Sequence, residues 1–403
     1  MEYILIMKIE QNYMRLNMNK FKVLELFGGI GACSKAFDKL KIEYDIVDYV
    51  EIDKYAVKSF NAIHNTNFEP QDICNWNKKL NVDLIMHGSP CQDFSLSGKQ
   101  SGGDEGSGTR SSLMYETLRI VSDLKPKYVI WENVKNLLSK KHRHNFENYI
   151  KTMETLGYKN YYQVLNAKDY GIPQNRERVF TISIRNDIEK SFVFPEKQEL
   201  KLTLKDMLEN DVDEKYYLSD RMINYITNDN DKWTGNNNKS LINKDIASTI
   251  NTGEGHRRCD SSNYVSSNFG ANYNLKQLIK DSVYSNLEEK LFTKDGNIKR
   301  YINSNVIDKF NEGQMATTSF PNGYGHGSRT HDLSIALNTI DKPSVKQNLR
   351  IRKLTPKECW RLMGFDDEDY EKASKFNSNA QLYKQSGNSI VVNILVEILK
   401  NLL

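Results

Sequence analysis

Between residues 22 and 184 the chain alternates short apolar runs with longer stretches in which apolar residues recur every three to four positions. Residues 22–27, 46–50, 82–87 and 128–131 are runs of a length and make-up that suit strands buried on both faces. Between them lie helical patterns: Phe37 and Leu40 on one side of a segment after residue 32, then Leu113, Leu118, Val121 and Leu124 on a helix that Pro126 ends. Phe146, Tyr149, Ile150, Met153 and Leu156 mark a further helix, and residues 161–167 and 178–184 read as a strand pair. Strand and helix in alternation predict an α/β fold with a doubly wound, largely parallel sheet, in which ligands gather outside the carboxyl ends of the strands. From about residue 196 to 347 the patterning gives way to Asn, Ser, Lys, Gly and Tyr, which predicts a second, smaller, loop-rich domain concerned with binding. Its candidate contact segments are 253–258 and 322–329. Regular structure returns with Thr355 as a helix cap, Pro356 at the first helical position and Gly364 as the stop. A strongly apolar helix with Val391, Ile394, Leu395 and Ile398 then closes the chain and should pack on the sheet.

The domain organisation expected from this pattern is an extension over 1–20, a main domain over 21–195, the loop-rich domain over 196–349, and a segment 350–403 completing the main domain. The full length of 403 residues leaves ample room for such a core. A net charge of +4 permits a nucleic-acid partner without arguing for one. Cys33, Cys74, Cys91, Cys259 and Cys359 form no CxxC pair and are odd in number, which disfavours a disulfide framework or a zinc site and suits a reducing cytoplasm. The apolar patch at residues 3–7 is too short to span a membrane and lacks a cleavage site, so no targeting signal or membrane partner is expected.

Candidate chemistry sits at the strand ends. Gly28-Gly29-Ile30-Gly31 follows the first strand and opens a helix, which suits either a plain turn or the close approach of a nucleotide-like ligand. Its glycines lack the spacing of nicotinamide cofactor binders. Glu51 lies about twenty positions further on, where a carboxylate meets ribose hydroxyls in such folds, and Asp72-Ile73 precedes the third strand. Gly88-Ser89-Pro90-Cys91-Gln92 presents a cysteine where a nucleophile would stand, although most free cysteines are small buried hydrophobes. The polar, glycine-rich stretch 97–112 beside it reads as a lid. Glu132 follows an apolar strand directly, and Arg176 and Arg178 share one strand face.

Together these turns resemble the DNA (cytosine-5)-methyltransferases of bacterial and phage restriction-modification type. The resemblance rests on ordered blocks: Phe27-Gly28-Gly29-Ile30-Gly31, Glu51, Asp72-Ile73, Gly88-Ser89-Pro90-Cys91-Gln92, Glu132-Asn133-Val134, Gln174-Asn175-Arg176-Glu177-Arg178, Arg352 to Glu358, and Gly387-Asn388-Ser389. It implies a Rossmann-like class I methyltransferase domain with a target-recognition domain between the arginine and Thr-Pro blocks. By resemblance, Cys91 is the nucleophile for cytosine C6, and Glu132 faces N3 and the 4-amino group. Arg176 and Arg178 hold the base O2 and the neighbouring phosphate or Glu. S-adenosylmethionine, leaving as S-adenosylhomocysteine, would meet Phe27, Gly29, Gly31, Glu51, Asp72, Ile73, Pro90 and Asn388, without a metal. The implied partner is double-stranded DNA, bound by a monomer in the cytoplasm, with a cognate restriction endonuclease acting separately if one exists. Gly28 departs from the many relatives that carry Ala. A tRNA substrate is disfavoured by the long variable region, and a catalytically silent DNA-binding protein by the intact Cys91, Glu132, Arg176 and Arg178.

Overall fold

The computed structural model describes residues 20–90, 113–219, 243–252, 263–266 and 351–403. The expected extension therefore lies, but for Lys20, outside the described residues, as do Cys91, the lid stretch and both contact segments of the loop-rich region. The chain divides into two compact units, Met1–Lys201 with Trp360–Leu403, and Leu202–Cys359.

The first unit is built on a six-stranded sheet of β1 (Phe21–Leu26), β2 (Tyr44–Val50), β3 (Leu84–His87), β4 (Tyr128–Val134), β5 (Tyr158–Asn166) and β6 (Glu177–Arg185), ordered β2-β1-β3-β4-β6-β5. The first four strands are parallel, and β6 runs antiparallel to both β4 and β5. The sheet is thus mixed. Helices α1 (Ala32–Leu40), α2 (Lys54–His64), α3 (Met114–Leu124) and α4 (Arg143–Thr155) connect the strands.

Side-chain alternation sorts the strands onto two buried faces. Val23, Leu84, Met86, Ile130 and Ile182 point to one side, where they meet Phe37 of α1. Leu24, Leu26, Ile85, Val129 and Trp131 point to the other, against Leu118 and Val121 of α3 and Phe146 and Tyr149 of α4. A strand covered on both sides must be apolar at every position, which is why these segments read as continuous runs.

After α5 (Pro356–Arg361) come α6 (Asp367–Ser374), α7 (Asn379–Asn388) and α8 (Val392–Leu402). Ile394, Leu395, Ile398, Leu399 and Leu402 of α8 join the same cluster as Val23 and Phe37. Gly364 adopts φ 83°, the left-handed conformation that favours glycine past a helix end.

In the second unit, β7 (Tyr264–Ser266) pairs antiparallel with β8 (Ile351–Lys353). Residues 351–359 belong to this unit rather than to the first. Arg352, buried, donates to Glu358 at 2.7 and 2.8 Å. The same carboxylate accepts from the backbone N–H of Thr355 at 2.7 Å and of Glu209 at 2.8 Å. Arg352 and Glu358 of the Thr-Pro block are therefore consumed in closing a turn, as a buried ion pair requires.

Candidate functional site

The first turn of the sheet departs from relaxed backbone. Phe27, directly after β1, has φ 53°, a left-handed conformation that is strained for a bulky residue and clusters at functional sites. Two steps on, Gly29 has φ 55° and Gly31 φ 81°. A Cβ on Gly31 would stand 2.3 Å from Nε2 of His64, so only glycine fits. A Cβ on Gly28 would stand 2.6 Å from the ring of Tyr49, whose hydroxyl donates to the Gly29 carbonyl at 2.6 Å. Glycine at 28 thus leaves room for a buried tyrosine that braces the turn.

Glu51, just past β2, accepts from the Gly29 N–H at 3.1 Å and from the Asp53 N–H at 2.8 Å. Burial raises its carboxyl above the ordinary range, with the two backbone hydrogen bonds pulling the other way. The Gln71 N–H donates to the Glu51 carbonyl at 2.8 Å, tying the next candidate turn to this one. There Asp72 accepts from the Cys74 N–H at 3.0 Å, capping a short helical turn, Ile73–Asn75. The Ile73 side chain is buried in the core.

The end of β3 is held from its neighbour β4. Trp131 donates its indole N–H to the Ser89 hydroxyl at 3.0 Å, and the Asn133 amide donates to the Ser89 carbonyl at 3.3 Å. Beneath them His87, fully buried, stacks on Trp131 with ring centroids 5.7 Å apart, and its Nε2 lies 3.0 Å from the Tyr149 hydroxyl. Gly88, Ser89 and Pro90 thus leave the sheet from a rigid base, one residue before Cys91.

Glu132 lies within β4, opposite Phe180 of β6, rather than beyond the strand end. Its Oε1 is 3.1 Å from Nε of Arg178. Burial pushes its carboxyl above the ordinary value, against the opposing pull of Arg178 and, less strongly, Arg176. The two arginines part company. Arg176, 3% exposed, donates from one terminal nitrogen to the carbonyls of Gly387 at 3.0 Å and Ser389 at 2.9 Å. That nitrogen is turned to the chain, whereas Arg178 faces Glu132.

One cleft brings these turns together. It is lined by Phe27, Gly28 and Gly29, by Gly88 and Glu132, and by Asn388, Ser389 and Ile390. Of the sequence-derived candidates, Phe27, Gly29, Glu132 and Asn388 line it, while Gly31, Glu51, Asp72, Ile73 and Pro90 do not.

Comparison with known proteins matches this arrangement. The profile of the C-5 cytosine-specific DNA methylases covers residues 21–403. The chain belongs to that family. Among its curated relatives, the orphan methyltransferase M.SPRI of Bacillus phage SPR is 33% identical over 96% of this chain and 98% of its own length. The type II methyltransferase M.HhaI of Haemophilus parahaemolyticus is 30% identical over 94% of each. Among solved structures, a DNMT2 mutant from Spodoptera frugiperda superimposes with a TM-score of 0.60 at 20% identity, covering 95% of this chain and 99% of that one. A putative DNA modification methyltransferase encoded within an E. coli prophage gives 0.52 at 20% identity, covering 95% and 98%. These last two establish the fold.

As a DNA cytosine-5 methyltransferase the enzyme draws its methyl group from S-adenosylmethionine, and the residues present suit that donor. A left-handed Phe27–Gly29 turn lets a ligand approach the backbone closely, and the desolvated carboxyl of Glu51 stands behind it. No described helix is long and apolar enough to cross a membrane. Sequence reasoning passed over Glu25, which lines the cleft from within β1 and accepts from the Ser34 N–H at 2.9 Å and from the Ser34 hydroxyl. The signal was there: a single charge inside the run Val23-Leu24-Glu25-Leu26-Phe27 is rarely buried without a task. Asn133, which holds the Ser89 carbonyl, belongs to the Glu132-Asn133-Val134 block, and only the structure gives it a role.

Proposed function

We propose that the enzyme methylates C5 of a cytosine turned out of a specific double-stranded DNA sequence, through a covalent bond between Cys91 and C6. The observation that carries this reading is Glu132, which lines the cleft with Phe27 and Asn388, is paired with Arg178, and stands one strand away from the braced turn that leads into Cys91.

Carbon 5 of cytosine is too weak a nucleophile to take a methyl group unaided. The Cys91 thiolate adds to C6, and the electron pair displaced from the 5,6 double bond makes C5 enamine-like. At an unperturbed thiol pKa of about 8.5 only a few per cent is thiolate at pH 7, so the turn must favour the charged form. Glu132, whose carboxyl burial raises, is the group placed to share a proton with N3 as charge builds on the ring. Arg178 offers donors to the base O2 and restrains Glu132, while Arg176 acts from behind as a bracket on the Gly387–Ser389 turn. S-adenosylmethionine supplies an electrophilic methyl group to C5. Phe27, Gly29 and Gly31 would form the turn that holds it, with Glu51 at the ribose, Asp72 and Ile73 near the adenine, and Pro90 and Asn388 beside the pocket. Loss of the C5 proton then expels Cys91 and restores the aromatic ring.

Because C6 is shielded inside a duplex, the base must leave the stack at an expense of a few kcal/mol. Residues 97–112 are the segment to close over it, and the unit Leu202–Cys359 is the part that reads sequence. The test is tritiated methyl incorporation into a panel of DNA substrates and into tRNA. Wild-type protein should label DNA alone and form a covalent adduct with DNA containing 5-fluorocytosine; Cys91→Ala should lose both while still binding DNA. Labelling by Cys91→Ala, or no adduct on a substrate that the wild type methylates, sinks the covalent mechanism.

A further inference from the structure

The segment from Lys135 to His144 carries Lys135, Lys140, Lys141 and Arg143 and no acidic residue, as much positive charge as the net +4 of the whole chain. It follows β4 directly, so it leaves the sheet at the carboxyl edge, the side of the sheet where Phe27 and Gly88 follow their strands. Its backbone is a compact, hydrogen-bonded turn: Ser139 N–H donates to the Asn136 carbonyl at 3.0 Å, and the N–H groups of His142 and Arg143 both donate to the Ser139 carbonyl, at 3.0 and 2.9 Å. Leu137 and His142 are buried on either side of it. Helix α4, which continues the segment, is tied through Tyr149 to His87 at the base of the Gly88–Pro90 turn.

The charges on this rigid turn are not equivalent. Lys135 pairs with Glu177 at 3.0 Å, beside Arg178, and Arg143 with Glu147 at 2.7 Å. Lys140 and Lys141, at the apex, are exposed and form no ion pair with any described residue. A solvated surface usually intersperses both signs; here two adjacent exposed lysines have no ion-pair partner among the described residues, in the segment that follows the strand bearing Glu132.

We propose that the Lys140–Lys141 turn is a phosphate clamp on the DNA backbone flanking the target cytosine, contributing sequence-independent affinity from the catalytic unit itself. This rests on the reading that the substrate is DNA. Each phosphate contact made by a lysine releases condensed counterion and steepens the fall of affinity with salt by about 0.9 in log–log slope.

The experiment is to titrate full-length wild type, K140A/K141A and the charge-reversed K140E/K141E with specific and unrelated duplexes over a salt series. Ethylation interference on the specific duplex and single-turnover methylation at saturating DNA accompany the titrations. Expected is a slope shallower by roughly 1 to 2, an affinity loss equal on both duplexes and larger for the reversal. Backbone phosphates beside the target cytosine should become insensitive to ethylation in the variant, with the saturated methylation rate unchanged. An unchanged slope, or a loss confined to the specific duplex, overturns the clamp. If instead the wild type binds DNA with the expected slope yet methylates none, the catalytic reading fails and the clamp stands.

Discussion

His87 is held neutral by the packing around it. Burial drives its pKa down to about 3, whereas in the unfolded chain it titrates near 6.5. Between those values the unfolded chain binds a proton that the folded chain refuses. Stability contributed here is therefore complete above about pH 6.5 and drains away as pH falls toward 3. Glu25, Glu51 and Glu132, all raised by burial, have the opposite sign: they favour the folded state in acid and oppose it as pH rises through their elevated values. Comparing urea unfolding of wild type and His87→Gln across the acid range isolates the histidine. Between pH 7 and about pH 4.5 the wild type should lose roughly 2–3 kcal/mol more than the variant, and superimposable acid limbs would count against this account. The same residue links stability to geometry, because its stack on Trp131 lies under the indole that holds Ser89.

At the level of elements, the junction between α7 and α8 is the best example of a charged side chain working through backbone. The Gly387 and Ser389 carbonyls both accept from Arg176, and Asn388 between them lines the cleft. Arg176→Lys keeps the charge but loses the paired donors, and a charge-assisted hydrogen bond is worth roughly 1.5–3 kcal/mol. The expected result is a KM for S-adenosylmethionine raised about tenfold or more with DNA affinity unchanged; a selective loss of DNA binding would return Arg176 to the substrate. Most elements were legible because a two-sided sheet leaves continuous apolar runs: β1, β3 and β6 were located to within one or two residues. Strand direction and order were not, since apolarity shows burial and says nothing of which neighbour a strand joins, so the antiparallel β6 between β4 and β5 came only with the structure. The end of β4 was misjudged for a physical reason: a carboxylate ended the apolar run, but Arg178 on β6 supplies the counter-charge that lets the strand continue through Glu132 to Val134. In the candidate site, Phe27, Gly29, Glu132 and Asn388 were readable because strand ends and glycine turns leave sequence marks. The Arg176 bracket was not, because its partners are carbonyls more than two hundred residues away that no side-chain pattern announces.

For the whole molecule, the decisive fact is that the first unit is made from both ends of the chain, with Leu202–Cys359 inserted between them. Val392, Ile394, Leu395, Ile398, Leu399 and Leu402 are buried along α8. Burying each such side chain is worth roughly 1.5–3 kcal/mol, so together they rival the 5–15 kcal/mol by which a whole domain is stable. A chain ending at Val391 should therefore show no cooperative melting transition by calorimetry or circular dichroism; a truncated protein melting near the wild-type temperature would contradict this. The consequence reaches into synthesis. Ribosomes add about 5–20 residues per second, so all six strands of the sheet are made well before α8, the helix whose apolar face packs with them. A copy that has not yet gained α8 is expected to lack the folded cleft, so methylation should appear only once that helix has docked.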